Sequence, residues 1–115
     1  MKNWGISLSI NNNKVNGLLG LAARSGNIIY GTDAVIEAIY KKKVKLVIIA
    51  EDSSEKTKEK LIAVCLKNNI KNIFYGTIFE NSKVIGKTNK AILAIKDGNF
   101  AEAILERIYG GDTIG

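Results

Sequence analysis

Lysine is the residue type whose clustering in this sequence points most directly to chemistry. Lys41 to Lys45 holds four lysines with no acidic residue among them, and Lys83, Lys87 and Lys90 form a second group with the same property. Lysine ammonium groups bind phosphate as point charges, so both groups are candidates for contact with a polyanion. Lysine-rich surfaces that only face water are also common, and both interpretations stay open at this point.

The charge balance favours the same class of partner. Seventeen basic side chains against eleven acidic ones give a net charge of +6. Such an excess attracts RNA, DNA and anionic lipid alike, and it says little about the fold.

Residues that commonly perform catalysis are scarce. The sequence has no histidine, the usual general acid or base at neutral pH and a frequent zinc ligand. Its single cysteine, Cys65, falls on the apolar stripe of a predicted helix, which favours a role in the core. We therefore predict a protein that is not an enzyme and that needs neither metal nor cofactor.

Two further motifs have weak functional alternatives. Glu51 and Asp52 follow a predicted central strand, where a receiver domain holds its magnesium, but the next strand ends in Gly76 and Thr77 and lacks the aspartate that a receiver phosphorylates. Capping of the next helix by Asp52 and the following serines is the simpler interpretation. The glycines near residues 17–26 surround a helix and form no phosphate-binding loop.

Hydrophobic periodicity predicts the elements that position these residues. Residues 12–26 and 31–41 have helical spacing, and the aliphatic run 46–50 is typical of a strand covered on both faces. The remaining elements are a helix after Ser53 or Ser54 that contains Leu61, Ile62, Cys65 and Leu66, a strand at 72–77, a short helix at 78–86, a strand at 90–98 and a final helix at 99–109. This alternation indicates a layered α/β domain with a partly parallel sheet.

Length and composition predict one domain in an aqueous compartment. The 115 residues suit a single domain at 14–109, with a loose N-terminal extension at 1–13 and a loose tail at 110–115. No apolar run reaches the roughly 18 residues of a membrane span, and the first residues lack a secretory pattern. We expect a cytoplasmic protein without a membrane partner.

Three segments together resemble the ribosomal L7Ae family, especially its bacterial YlxQ-like branch. They are "LLGLAARSG", "KLVIIAEDSS" and the late "IGK" followed by "AIKDGNFA", and the resemblance extends over residues 15–106. It implies a three-layer α/β/α sandwich with a mixed sheet. It also implies that the start of the second helix and the loop before the last strand bind a kinked RNA stem.

Residue-by-residue comparison places the implied RNA contacts on two segments. At the start of the second helix they are Gly31, Thr32, Asp33, Ala34 and Glu37. The family's kink-turn binders have asparagine, glutamate and lysine where this chain has the last three of these residues. The change to Glu37 places an anion where a cation faces base edges and phosphate.

The second implied segment keeps its polar and basic character. It consists of Gly86, Lys87, Thr88, Asn89 and Lys90. Shortly before it, the family's Leu-Gly pair is replaced by Asn81 and Ser82. The run Lys41, Lys42 and Lys43 would lie near RNA phosphates in the family geometry, or would otherwise solubilise a helix end.

These observations predict a non-catalytic protein of the L7Ae type that binds structured RNA, with ribosomal, kink-turn-like RNA as the expected target and the ribosome as a candidate partner. The alternative is a protein-interaction or scaffold domain of the same fold that no longer recognises kink-turns.

Overall fold

A computed structural model describes residues 12–110, which form five α-helices and four strands within that range. The helices are α1 (Asn12–Arg24), α2 (Thr32–Tyr40), α3 (Glu55–Lys67), α4 (Ile78–Val84) and α5 (Gly98–Leu105). The strands are β1 (Ile28–Tyr30), β2 (Leu46–Ile49), β3 (Lys71–Phe74) and β4 (Ile92–Ile95). A π-helical turn, Glu106–Gly110, extends α5.

The four strands form one mixed sheet in the order β1-β4-β2-β3. The β2–β3 pair is parallel, whereas β4 runs antiparallel to both β1 and β2. The antiparallel register pairs Tyr30 with Leu93, so the end of β1 lies beside the start of β4. This places the start of α2 next to the segment that precedes β4.

Helices cover both faces of the sheet. On β2, Leu46 and Ile48 pack toward α1 and α5, and Val47 and Ile49 pack toward α2 and α3. All four side chains are buried, which explains the continuous aliphatic run. The predicted three-layer α/β/α sandwich with a mixed sheet is confirmed.

Some local predictions differ from the structure. Residues 28–30 form the edge strand β1, although so short an apolar segment gave no periodic signal. On α3 only Leu61 and Cys65 are buried. Leu66 is 78% exposed because only a narrow stripe of the helix surface contacts the sheet. The chain also ends its last α-helix at Leu105 and continues in a wider turn.

The limits of the domain stay a prediction. Helix α1 begins at Asn12, and the expected loose ends lie, apart from residues 12, 13 and 110, outside the described residues. Within residues 12–110, every helix is too short or too polar to cross a membrane.

Candidate nucleic-acid interface

The start of α2 is held against the sheet with its first amides uncapped. Gly31 donates its N–H to the carbonyl of Ile92 at 2.9 Å, and its φ of 97° favours glycine because a side chain would strain that backbone. No side chain of residues 12–110 caps this helix end. The amides of the first turn and the positive end of the helix dipole are therefore available to an anion.

The loop of residues 86–90 is fixed by one buried serine. Ser82, which is 1% exposed, accepts the Lys90 N–H on its Oγ at 2.7 Å and the Lys87 N–H on its backbone carbonyl at 2.8 Å. Gly86 and Asn89 have positive φ values of 76° and 54°, which turn the backbone at both ends of the loop. Lys87, Thr88 and Asn89 are consequently held on the surface.

Tyr30 joins these two segments. The Nζ atoms of Lys87 and Lys90 lie 4.9 and 5.4 Å from the centre of its ring, within the range of cation–π contacts. Tyr30 immediately precedes Gly31, so the loop lysines stand beside the start of α2. The structure thus brings together the two segments that the sequence analysis selected, and it adds Tyr30, whose only sequence signal was its place next to Gly31.

The lysine run lies at the other end of α2. Lys42 N–H bonds to the Ile39 carbonyl and Lys43 N–H bonds to the Ala38 carbonyl, both at 3.0 Å, which is the hydrogen-bond pattern of a Schellman motif. The residue that turns the chain is Lys42, with a φ of 60°, where glycine is usual. A nine-residue helix is about 13 Å long, so this group is separate from the Tyr30 cluster.

Glu37 lies between the two ends of α2. Its carboxylate forms an exposed ion pair with the Lys41 ammonium at 3.0 Å, as the four-residue spacing of the two side chains on one helix face predicts. Asp33 and Ala34 are exposed near the start of the helix. Lys96, which the sequence analysis did not select, lines the same shallow depression as Glu37 and Lys41 and extends the basic surface.

Asp52, in the acidic pair after β2, has a structural role, but it does not cap the next helix, α3, as the sequence predicted. Asp52 Oδ1 accepts the Ile78 N–H at 2.8 Å in the first turn of α4, whose N-cap is Thr77. Ser54 caps α3 by accepting the Thr57 N–H at 3.1 Å. Within residues 12–110 no cluster of acidic, cysteine or histidine side chains is arranged to hold a metal ion. Burial raises the pKa of Cys65 to about 11, so its thiol is protonated at neutral pH.

Residues 13–104 match the sequence model of the Ribosomal protein L7Ae/L30e/S12e/Gadd45 family. The chain belongs to this family. It is 34% identical over 100 residues to RNA-binding protein YlxQ of Enterococcus faecium, a match that covers 87% of this chain and 96% of that protein. It is 32% identical over 91 residues to RNA-binding protein YlxQ of Bacillus subtilis, covering 76% and 88% of the two chains.

Solved structures show the same fold. A protein with unknown function from Bacillus halodurans C superposes with a TM-score of 0.80 at 32% identity, covering 83% of this chain and 96% of that one. The Giardia lamblia 15.5kD RNA binding protein superposes with a TM-score of 0.73 at 18% identity, covering 95% and 91%. The second likeness concerns the fold alone. The family resemblance drawn from the sequence is confirmed.

Proposed function

We propose that this protein is a non-catalytic RNA-binding protein whose RNA contacts lie at the start of α2 and on the loop of residues 86–90. The observation that carries the proposal is the Tyr30 cluster, in which Lys87 and Lys90 stand beside the uncapped end of α2. The names of the two YlxQ relatives support RNA as the polyanion.

The start of α2, the loop of residues 86–90 and the lysine run each contribute a different kind of RNA contact. Phosphate oxygens accept hydrogen bonds from the first-turn amides of α2. The ammonium groups of Lys87 and Lys90 attract the same phosphates electrostatically. Thr88 and Asn89 add exposed donors and acceptors in a loop whose shape is preset by Ser82. Lys41 to Lys43 add attraction that does not depend on RNA sequence.

More specifically, we propose that the RNA is a kink-turn-like stem, such as those of ribosomal RNA. Binding would take place in the cytoplasm, with the ribosome as a candidate partner. The residues Asp33, Ala34 and Glu37 weaken recognition of base edges relative to the family's kink-turn binders. The Glu37–Lys41 ion pair favours the alternative of a scaffold domain, because it neutralises charge on the face of α2 that would meet RNA. The absence of catalysis rests on the lack of histidine and on the buried, protonated thiol of Cys65.

Replacing Lys87 and Lys90 with glutamine tests the interface. Each lysine that neutralises a phosphate contributes close to one unit to the slope of log affinity against log salt, so the double variant should lose roughly two units for every RNA tested. The measurement is a titration with a structured RNA at four or more salt concentrations. Lys41, Lys42 and Lys43 changed to glutamine should reduce the slope as well, while retaining any preference for structured RNA.

The matched control is the variant with Lys56 and Lys60 changed to glutamine on α3, where Glu55 and Glu59 alternate with the lysines. It removes the same charge from another surface and should leave the slope nearly unchanged. Equal slopes for the wild type and the Lys87/Lys90 variant would exclude the Tyr30 cluster from the interface. Weak binding that physiological salt abolishes in the wild type itself would favour the scaffold alternative.

A further inference from the structure

Strand β3 leaves one edge of the sheet open. It is the last strand in the order, and within residues 12–110 its only strand neighbour is β2. The Tyr75 N–H bonds to the Ile49 carbonyl at the end of β2 at 3.0 Å. Because backbone groups alternate in direction along a strand, those of Asn72 and Phe74 face away from β2. An edge of this kind is a template for a further strand.

An apolar groove runs beside this edge on the α5 side of the sheet. Its volume is about 510 Å³, and it lies between β3 and the end of α5 with the π-helical turn. Ile73 and Leu105 give it apolar surface, and Tyr109, which is 57% exposed, lines it from the turn. Its two charged residues, Lys71 and Glu106, have opposite signs. The groove therefore suits an uncharged, apolar strand better than a polyanion.

The sequence ahead of α1 has the pattern of such a strand. Residues 4–10 lie outside the described range, and they alternate apolar with small or polar types in the order Trp4, Gly5, Ile6, Ser7, Leu8, Ser9, Ile10. In a strand, this period of two places the four apolar side chains on one face. The segment carries no charge, which matches the balanced charges of the groove.

Helix α1 begins close to the end of β3. The hydroxyl of Tyr75, the residue after β3, donates to Asn16 Oδ1 on α1 at 2.8 Å. Asn12, where α1 begins, precedes Asn16 by about one helical turn, or roughly 6 Å. Seven extended residues cover about 23 Å, compared with about 13 Å for the four residues of β3. Residues 4–10 can therefore run along the whole edge, with Asn11 as the connection.

Topology favours the same placement. A segment that runs along β3 toward the start of α1 is parallel to β3, and β3 is parallel to β1 at the opposite edge of the sheet. The segment, α1 and β1 then form a crossover unit like β2-α3-β3, but on the opposite face and in the opposite direction across the sheet. Reversing both face and direction keeps the hand, so both units can have the right-handed connection that parallel strands require.

We propose that residues 4–10 add to β3 as a fifth strand, parallel to it, with Trp4, Ile6, Leu8 and Ile10 in the groove beside α5. The added strand closes the open edge and so protects the chain from edge-to-edge association. It is an alternative to the loose N-terminal extension predicted from the sequence. The site lies at the opposite edge of the sheet from β1 and does not depend on RNA binding.

Tryptophan fluorescence tests the docking, because Trp4 is the only tryptophan of the chain. In the wild type we expect emission at a shorter wavelength than that of tryptophan in water, with weak quenching by acrylamide. Combining Ile6→Ser with Leu8→Ser should return both properties to those of exposed tryptophan, since it removes the apolar face of the segment. Ser7→Ala with Ser9→Ala is the matched control on the other face and should keep the wild-type emission.

Changes on the groove identify where the segment docks. Asn72→Pro removes a backbone N–H that faces away from β2, which an edge strand tolerates, and should expose Trp4. Tyr109→Ser removes an exposed wall of the groove and should increase acrylamide quenching, with little risk to the fold. Backbone amides of residues 5–9 should exchange at least about tenfold more slowly in the wild type than in the Ile6/Leu8 variant, the factor for a segment docked about 90% of the time.

Three results would overturn the proposal. Wild-type emission equal to that of tryptophan in water, with fast amide exchange, would mean that the segment does not dock. Shielded emission that neither Asn72→Pro nor Tyr109→Ser changes would place it elsewhere. Shielding that appears only as the protein concentration rises, together with a dimer in sedimentation, would mean that it docks on a second copy.

RNA affinity separates this site from the proposed function. The Ile6/Leu8 variant should bind structured RNA as tightly as the wild type, whether or not the Lys87/Lys90 variant confirms the RNA interface. A lower affinity would contradict the placement of the segment away from that interface.

Discussion

Replacing Glu37 with lysine is expected to tighten binding to a kink-turn stem by about five- to a hundredfold, the value of a good base-edge contact. The carboxylate of Glu37 lies on the exposed face of α2 and pairs with Lys41 at 3.0 Å. An ionised carboxylate donates no hydrogen bond to guanine O6 and N7 or to phosphate, whereas lysine donates three. The substitution also frees Lys41 from its acidic neighbour.

Specificity decides how this result is interpreted. Adding Ala34→Glu and Asp33→Asn should increase the gain further, and only for stems with tandem G·A pairs. The comparison is a titration of each variant against a kink-turn stem and a straight duplex at one salt concentration. An equal gain on both RNAs would mean that Glu37→Lys acts through net charge alone. A loss of affinity for the kink-turn would show that the residue correspondence along α2 is wrong.

Changing Gly76 to alanine is expected to have the largest effect on stability. Gly76 has a φ of 67°, and a Cβ there would overlap the side-chain oxygen of Asn81 and lie 2.9 Å from its Cγ. Asn81 is buried and donates its amide to the Tyr75 carbonyl at 2.8 Å. The left-handed backbone costs a non-glycine residue about 1–2 kcal/mol, and loss of the buried hydrogen bond costs about 1–3 kcal/mol more.

Thermal unfolding measures this effect. A loss of roughly 2–5 kcal/mol corresponds to a decrease in Tm of more than about 10 °C for a domain of this size. Gly17→Ala is the matched control, since Gly17 lies within α1 and nothing outside its own stretch of helix comes within 4 Å of where a Cβ would lie. Alanine favours the helix there by up to about 1 kcal/mol. Equal Tm values for the two variants would mean that a Cβ at position 76 does not disturb the buried side chain of Asn81.

The layered fold was predictable because its strongest signals are local. The aliphatic run of β2 and the helical spacing of Val15 and Leu19 each specify an element and its buried side. Strand β1 was missed because three residues are too few for a periodic pattern. The exposure of Leu66 could not be predicted either, since helical spacing does not show how much of a helix the sheet covers.

The candidate site was only partly predictable for a similar reason. Family resemblance selected the start of α2 and the loop of residues 86–90, but their proximity arises from the β1–β4 pairing, a contact between distant segments. The same pairing brings Tyr30 to Lys87 and Lys90. Asn81 and Ser82 looked like simple departures from the family pattern, yet they are the buried polar residues that hold the turn after β3 and the basic loop.

Amide chemical-shift mapping tests the central claim most directly. The ¹⁵N-labelled chain is titrated with a kink-turn stem at low salt, and the shift of every backbone amide is followed. We expect the largest changes at residues 31–33 and 86–90, with smaller ones along Lys41 to Lys43. Changes concentrated on α3 and β3, with residues 31–33 and 86–90 unaffected, would contradict the proposed interface.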